Sequence, residues 1–129
     1  MSYLLKTEPP EYSYEDLLKE GKTRCDGVKN PLVQKYIASM KHQDLCFVYH
    51  TGTIRAVVGL ARVVGEPYKD RQGFGVVDIE PLKKLKKPVS LQALKADPLF
   101  EGSLLVRMGR LSVVPLTKEQ GERILELSE

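Results

Sequence analysis

Arg24-Cys25-Asp26-Gly27-Val28-Lys29-Asn30 runs straight into Pro31-Leu32-Val33-Gln34-Lys35-Tyr36-Ile37, and that junction sets the layout of the first half of the chain. An asparagine can hold the free amides of a helix's first turn with its side-chain oxygen. A proline at the next position has its φ already helical and lacks only an N–H that the first turn does not use. Leu32, Val33, Tyr36, Ile37 and Met40 then recur at helical spacing and make one apolar stripe. The spacing predicts a helix opening at Pro31, preceded by a loop through the turn dipeptide Asp26-Gly27.

Upstream, residues 3–6 form a short apolar run closed by Glu8-Pro9-Pro10, the expected first strand. Ser13 followed by Asp16 is a capping box, with Gly21 placed as a left-handed stop, which predicts a helix over 14–20 with Leu17 and Leu18 facing inward. Downstream, Lys41 to Asp44 is a polar turn. Leu45 to Tyr49, Ala56 to Val64 and Phe74 to Pro81 read as strands, with Gly59 marking a bulge or a close approach and Val77 and Ile79 sharing a face opposite Asp78. Ser90 caps a short helix carrying Leu91 and Leu94 that must end before Asp97-Pro98. Leu111 to Val114 is the last strand. Thr117 and Gln120 form a second capping box, opening a helix with Ile124 and Leu125. Strands interleaved with helices make this an α+β chain.

Its 129 residues fit one domain over 1–129, large enough to bury roughly two thirds of its extended-chain surface. Hydrophobic residues make up 42% and charged residues 29%, the balance of an ordinary globular protein, and the net charge of +3 permits nucleic-acid binding without arguing for it. No apolar run approaches the ~20 residues of a membrane span, and the N-terminus lacks a basic segment followed by an apolar one, so the expected location is cytoplasmic. Cys25 and Cys46 lack the spacing of a zinc or redox motif. One disulfide between them is neither required nor excluded. No metal or cofactor is expected, and nothing in the sequence bears on oligomeric state.

Four segments in fixed order carry a family resemblance: Tyr3-Leu4-Leu5-Lys6-Thr7-Glu8-Pro9, Arg24 to Asn30, Phe47-Val48-Tyr49-His50-Thr51 and Gly109-Arg110-Leu111-Ser112-Val113-Val114-Pro115. Together they resemble the EVE domain, of the PUA-like superfamily, over nearly the whole chain. The resemblance implies a PUA-like mixed β-barrel with peripheral helices, and a non-catalytic module that reads a modified nucleic-acid base, of DNA or RNA, in a pocket. It also exposes departures. Relatives write the second segment as Trp-Asp-Gly-Val-Arg-Asn, often followed by tyrosine, where this chain has Cys25 and Pro31, and it contains no tryptophan at all. Gly121 falls where relatives carry a large aromatic, and a glycine inside a helix predicts a looser C-terminal helix.

The candidate ligand-binding residues are Lys6, Thr7, Cys25, Asp26, Gly27, Asn30, Tyr49, His50, Arg110 and Ser112. Asp26 and Asn30 offer acceptors and an amide to a heterocycle's edge, and Gly27 allows close backbone approach. Asn30 is equally a helix cap. Tyr49 either stacks on a base or fills the core. His50 either reaches a phosphate or base edge, or is a solvated turn residue. Lys6 and Arg110, with Arg107 nearby, either neutralise phosphates or form surface ion pairs. Lys83-Lys84-Leu85-Lys86-Lys87 is a solvated face or a backbone track. Catalysis would need a nucleophile with an oriented base; Cys25 with His50 is the one pairing on offer, and the expectation is that the chain is not an enzyme. The alternative keeps the fold but gives the altered pocket to a small metabolite or a protein partner.

Overall fold

The computed structural model describes residues 2–25, 30–103, 105 and 111–129. Its strands are β1 (Ser2–Thr7), β2 (Thr23–Cys25), β3 (Leu45–His50), β4 (Ala56–Lys69), β5 (Gly75–Ser90) and β6 (Val113–Leu116). Its α-helices are α1 (Tyr14–Glu20), α2 (Pro31–Ser39), α3 (Leu91–Ala96) and α4 (Lys118–Leu127), with a 3-10 turn at Pro98–Phe100. The caps sit where their chemistry requires. Ser13 and Asp16 bond reciprocally at α1, Gly21 ends that helix at φ 76°, and Thr117 and Gln120 close the second box at α4. The side chain of Asn30 accepts from the amides of Leu32 and Val33 at 2.9 and 3.2 Å.

All six strands join one sheet in the order β2-β5-β4-β3-β1-β6. Only β1 and β3 run parallel; the other ladders are antiparallel. The expected barrel is not closed among the described residues, since β2 and β6 are the two edges of this ladder. The sheet does curl, because both edges line one cavity, with side chains of Thr23, Cys25, Ser112 and Val113 around it. With only three and four residues, β2 and β6 have little backbone with which to close the ring. α2 packs on both β5 and β6. It is pinned by Gln34, which donates to the Gly75 carbonyl at 3.0 Å and accepts from the Gly75 amide at 2.6 Å.

Three local expectations change. Leu18 is 41% exposed while Leu17 is buried, because a seven-residue helix laid on β5 offers the core only a narrow face. β5 continues to Ser90 and takes in the whole lysine run: Leu85 points into the core, and Lys83, Lys84, Lys86 and Lys87 stay exposed. Gly121 does not loosen α4. It is buried, and a Cβ there would stand 3.0 Å from Ser2 Oγ and 3.5 Å from Phe47, so the missing side chain lets the helix lie close to the sheet. No helix among the described residues is long and apolar enough to cross a membrane.

Candidate functional site

Strand alternation decides which of the candidate residues meet. Leu5 and Thr7 on β1, Val48 on β3 and Thr23 and Cys25 on β2 face a cavity of about 280 Å³ between the sheet edges. Tyr12, Ser13, Tyr14 and Leu17 close it from the α1 side. Its volume is near the low end of small-molecule pockets, about 300–1,000 Å³, so it suits a single ring system. Ser112 also lines it, held by its carbonyl, which accepts from the Lys6 amide at 2.8 Å and extends the β1–β6 pairing. Arg24, between Thr23 and Cys25, also lines it and interacts with Tyr68 beside Asp78.

Two buried polar groups of the cavity wall, Thr7 Oγ1 and the Tyr12 hydroxyl, make no hydrogen bond among the described residues. Burial pushes the Tyr12 phenol up, and although Thr23 and Glu20 are close, neither bonds it with good geometry. Buried polar groups are nearly always satisfied, so this unsatisfied pair behind the cavity wall is unusual.

Lys6 also lines this cavity, whereas Tyr49 does not. The Lys6 ammonium lies 5.8 Å from the centre of the Tyr49 ring, and both line a second cavity, of about 220 Å³, with Thr51, Arg55 and Lys95. Tyr49 is only 4% exposed, so most of its surface is core. Asn30 is exposed and spends its side-chain oxygen on the α2 cap. Asp26, Gly27, Arg107 and Arg110 lie outside the described residues.

His50 is neither solvated nor turned to a phosphate: it is 7% exposed, and its Nε2 accepts the Tyr14 amide at 3.0 Å. That bond satisfies one of the free amides at the start of α1 and requires a neutral ring. Burial lowers the imidazole pKa, with Glu15 acting upward and Lys84 downward. The folded state therefore disfavours the proton that the unfolded chain takes up near the ordinary 6.5. Stability from this group is full above that value and is lost as pH falls below it toward the depressed folded pKa. His50→Gln, whose amide oxygen can accept the same bond without titrating, should lose less stability than the parent between pH 8 and pH 5 in urea titrations. Engaged by Tyr14 and neutral, this imidazole is a poor partner for a thiolate at Cys25.

Tyr12, Tyr14 and Thr23 line the cavity but were absent from the sequence candidates. The signal was present in Tyr12-Ser13-Tyr14, two aromatics flanking a helix cap, which places both beside the cap and against the sheet. Among the described residues no group of His, Cys, Asp and Glu is arranged to hold a metal ion. Neither cysteine is in a disulfide, and burial pushes the Cys46 thiol far up.

The EVE domain family model matches residues 2–127. The chain belongs to the EVE domain family. Thymocyte nuclear protein 1 of Rattus norvegicus is 31% identical over 98% of this chain and 73% of its own length. Protein Atu2648 from Agrobacterium tumefaciens superposes with a TM-score of 0.93 at 30% identity, over 98% of this chain and 92% of that one. Human THYN1 protein in complex with 5-methylcytosine-containing DNA superposes with a TM-score of 0.92 at 25% identity, over 99% of this EVE domain and 97% of that chain.

Proposed function

We propose that this EVE domain, a single domain over residues 1–129 and PUA-like in its curled sheet, is a non-catalytic nucleic-acid-binding module. It takes one modified base from a strand into the cavity between β1, β2 and α1. The observation that carries this reading is the cavity itself: ring-sized and largely apolar, with the Thr7 and Tyr12 hydroxyls buried behind its wall without a hydrogen-bond partner among the described residues. Support comes from the DNA complex of human THYN1, which shares the fold. Methylated cytosine is accordingly the first base to test. Apolar walls at Leu5, Val48 and Ile79 suit a base carrying a methyl group, while the two hydroxyls suit its donor–acceptor edge. In this reading Asp26, Gly27 and Asn30 read the base's edge and Arg110 neutralises a flanking phosphate.

Matched short single strands, with cytosine or 5-methylcytosine, titrated at two salt concentrations test this. Binding should weaken with salt, because phosphate contacts release counterions, and should favour the methylated strand. Thr7→Val, which keeps the shape and removes the hydroxyl, should cost roughly tenfold in affinity, the range of one hydrogen bond. Asn30→Ala should lower stability by about 1 kcal/mol as a lost cap; a binding loss beyond that places Asn30 on the ligand.

A second reading is favoured by Cys25, which cannot stack on a base where relatives carry tryptophan. In that reading the cavity holds a small metabolite or a partner's side chain. Salt-indifferent binding of small molecules, with no binding to any strand, would support it.

A further inference from the structure

The second cavity has a different character from the first. Lys6, in register with Tyr49 on the β1–β3 ladder, lines it as well as the first. Its described lining holds three cations, Lys6, Arg55 and Lys95, with the Tyr49 ring and Thr51, and no carboxylate. Burial pulls the Lys6 pKa below its usual value, and Arg55 is close enough to Tyr49 to oppose the rise in its phenol. A concavity lined by one sign of charge raises the local concentration of anions.

Arg55 is held rather than loose. Its Nε–H donates to the Gly52 carbonyl at 3.0 Å, and its backbone sits at φ 48°, a conformation non-glycine residues seldom adopt. The guanidinium's remaining N–H groups suit a phosphate's oxygens, and a guanidinium pairs with phosphate more readily than an ammonium does. The two cavities adjoin. Thr51 of the second donates both its amide and its hydroxyl to the carbonyl of Thr7, at 2.9 and 3.2 Å, and Thr7 is the wall of the first. A strand crossing that rim can leave a base on one side and a phosphate on the other.

We propose that Lys6, Arg55 and Lys95 form a phosphate site that receives the phosphate next to the base held in the first cavity. The proposal rests on the base-binding reading above, and the test separates the two. 5-Methyldeoxycytidine, its monophosphates and inorganic phosphate are titrated against the parent, Arg55→Ala and Lys95→Ala at low salt. One of the monophosphates should bind roughly ten- to a hundredfold more tightly than the nucleoside, the range of a charge-assisted contact. In either variant that ratio should collapse toward one. A nucleoside that binds while no phosphate adds affinity, or a ratio unchanged in both variants, overturns the phosphate site and leaves the base reading standing. Inorganic phosphate that binds in the parent and fails in the variants, with no nucleoside binding, upholds the site and overturns the base reading. Binding of none of the ligands overturns both.

Discussion

Gly59→Ala is expected to destabilise the fold by about 2–3 kcal/mol, at the upper end of the usual cost of overpacking, and to lower the melting temperature by roughly 10 °C. A Cβ at this position would stand 2.4 to 2.6 Å from three atoms of the Tyr14 ring. The ring has little room to retreat. Its hydroxyl donates to the Leu60 carbonyl at 2.6 Å, and the Tyr14 amide is tied to His50 Nε2 at 3.0 Å. The backbone is committed as well, since the β3–β4 register shifts beside this residue, where Val48 opposes Gly59 and Tyr49 opposes Val57. Tyr14→Ala removes the obstacle, so the double variant should be more stable than the sum of the single losses by at least about 1 kcal/mol, as expected of residues in contact. Because Tyr14 also lines the ligand cavity, Gly59→Ala should weaken strand binding even where the protein remains folded. A loss under 0.5 kcal/mol, the scale of an ordinary surface change, would show that α1 moves aside freely.

Cys25→Trp is expected to raise affinity for a methylated strand by roughly ten- to a hundredfold, because stacking one base on an aromatic side chain contributes about 1–3 kcal/mol. Cys25 is half-buried and lines the cavity at the end of β2, an edge strand of the sheet. Cys25→Ala should leave affinity near the parent value, since a thiol offers a base little surface to stack on. Both are read from the same strand titration. Weaker binding by the tryptophan variant would mean that the cavity lacks room for ligand and indole together, and that this chain's pocket has been reshaped for a different occupant.

The helix caps were legible because each depends on a few neighbouring residues: Ser13 with Asp16, Asn30 with Pro31, Thr117 with Gln120. Gly59 was legible as an anomaly, a glycine inside an apolar strand, though not its partner, because Tyr14 is distant in sequence and meets it only through the fold. The full length of β5 was hidden by its lysines. Their charge reads as a loop or solvated patch, yet alternation around Leu85 is compatible with a strand that has one face in water. Gly121 misled for the same reason that Gly59 informed: propensity prices a helical glycine as a loss, whereas packing against Ser2 and Phe47 makes the absent side chain a condition of contact.

The candidate site was legible as a set of segments but not as a place. Lys6 and Thr7 are neighbours in one motif, and so are Tyr49 and His50. On a strand, neighbours point to opposite faces. That rule separates Tyr49 from His50 and turns Lys6 toward the second cavity, although Lys6 also reaches the first. The identity of the cavity's other wall, Tyr12 and Tyr14, depends on how α1 folds back across the sheet, which no local pattern states. The barrel expectation came from resemblance. Among the described residues the ladder is open, and its short edges β2 and β6 lie on either side of one cavity.

The most direct test of the account uses Cys25 as a reporter. Its thiol lines the proposed base cavity, while Cys46 is fully buried with a strongly raised pKa and serves as the internal standard. Alkylation of Cys25 is followed by mass spectrometry while a short strand carrying 5-methylcytosine is titrated in. If the base enters the cavity, Cys25 is protected in proportion to the bound fraction, and the matched unmodified strand protects it less at equal concentration. A strand that binds and leaves the alkylation rate of Cys25 unchanged would contradict the central claim.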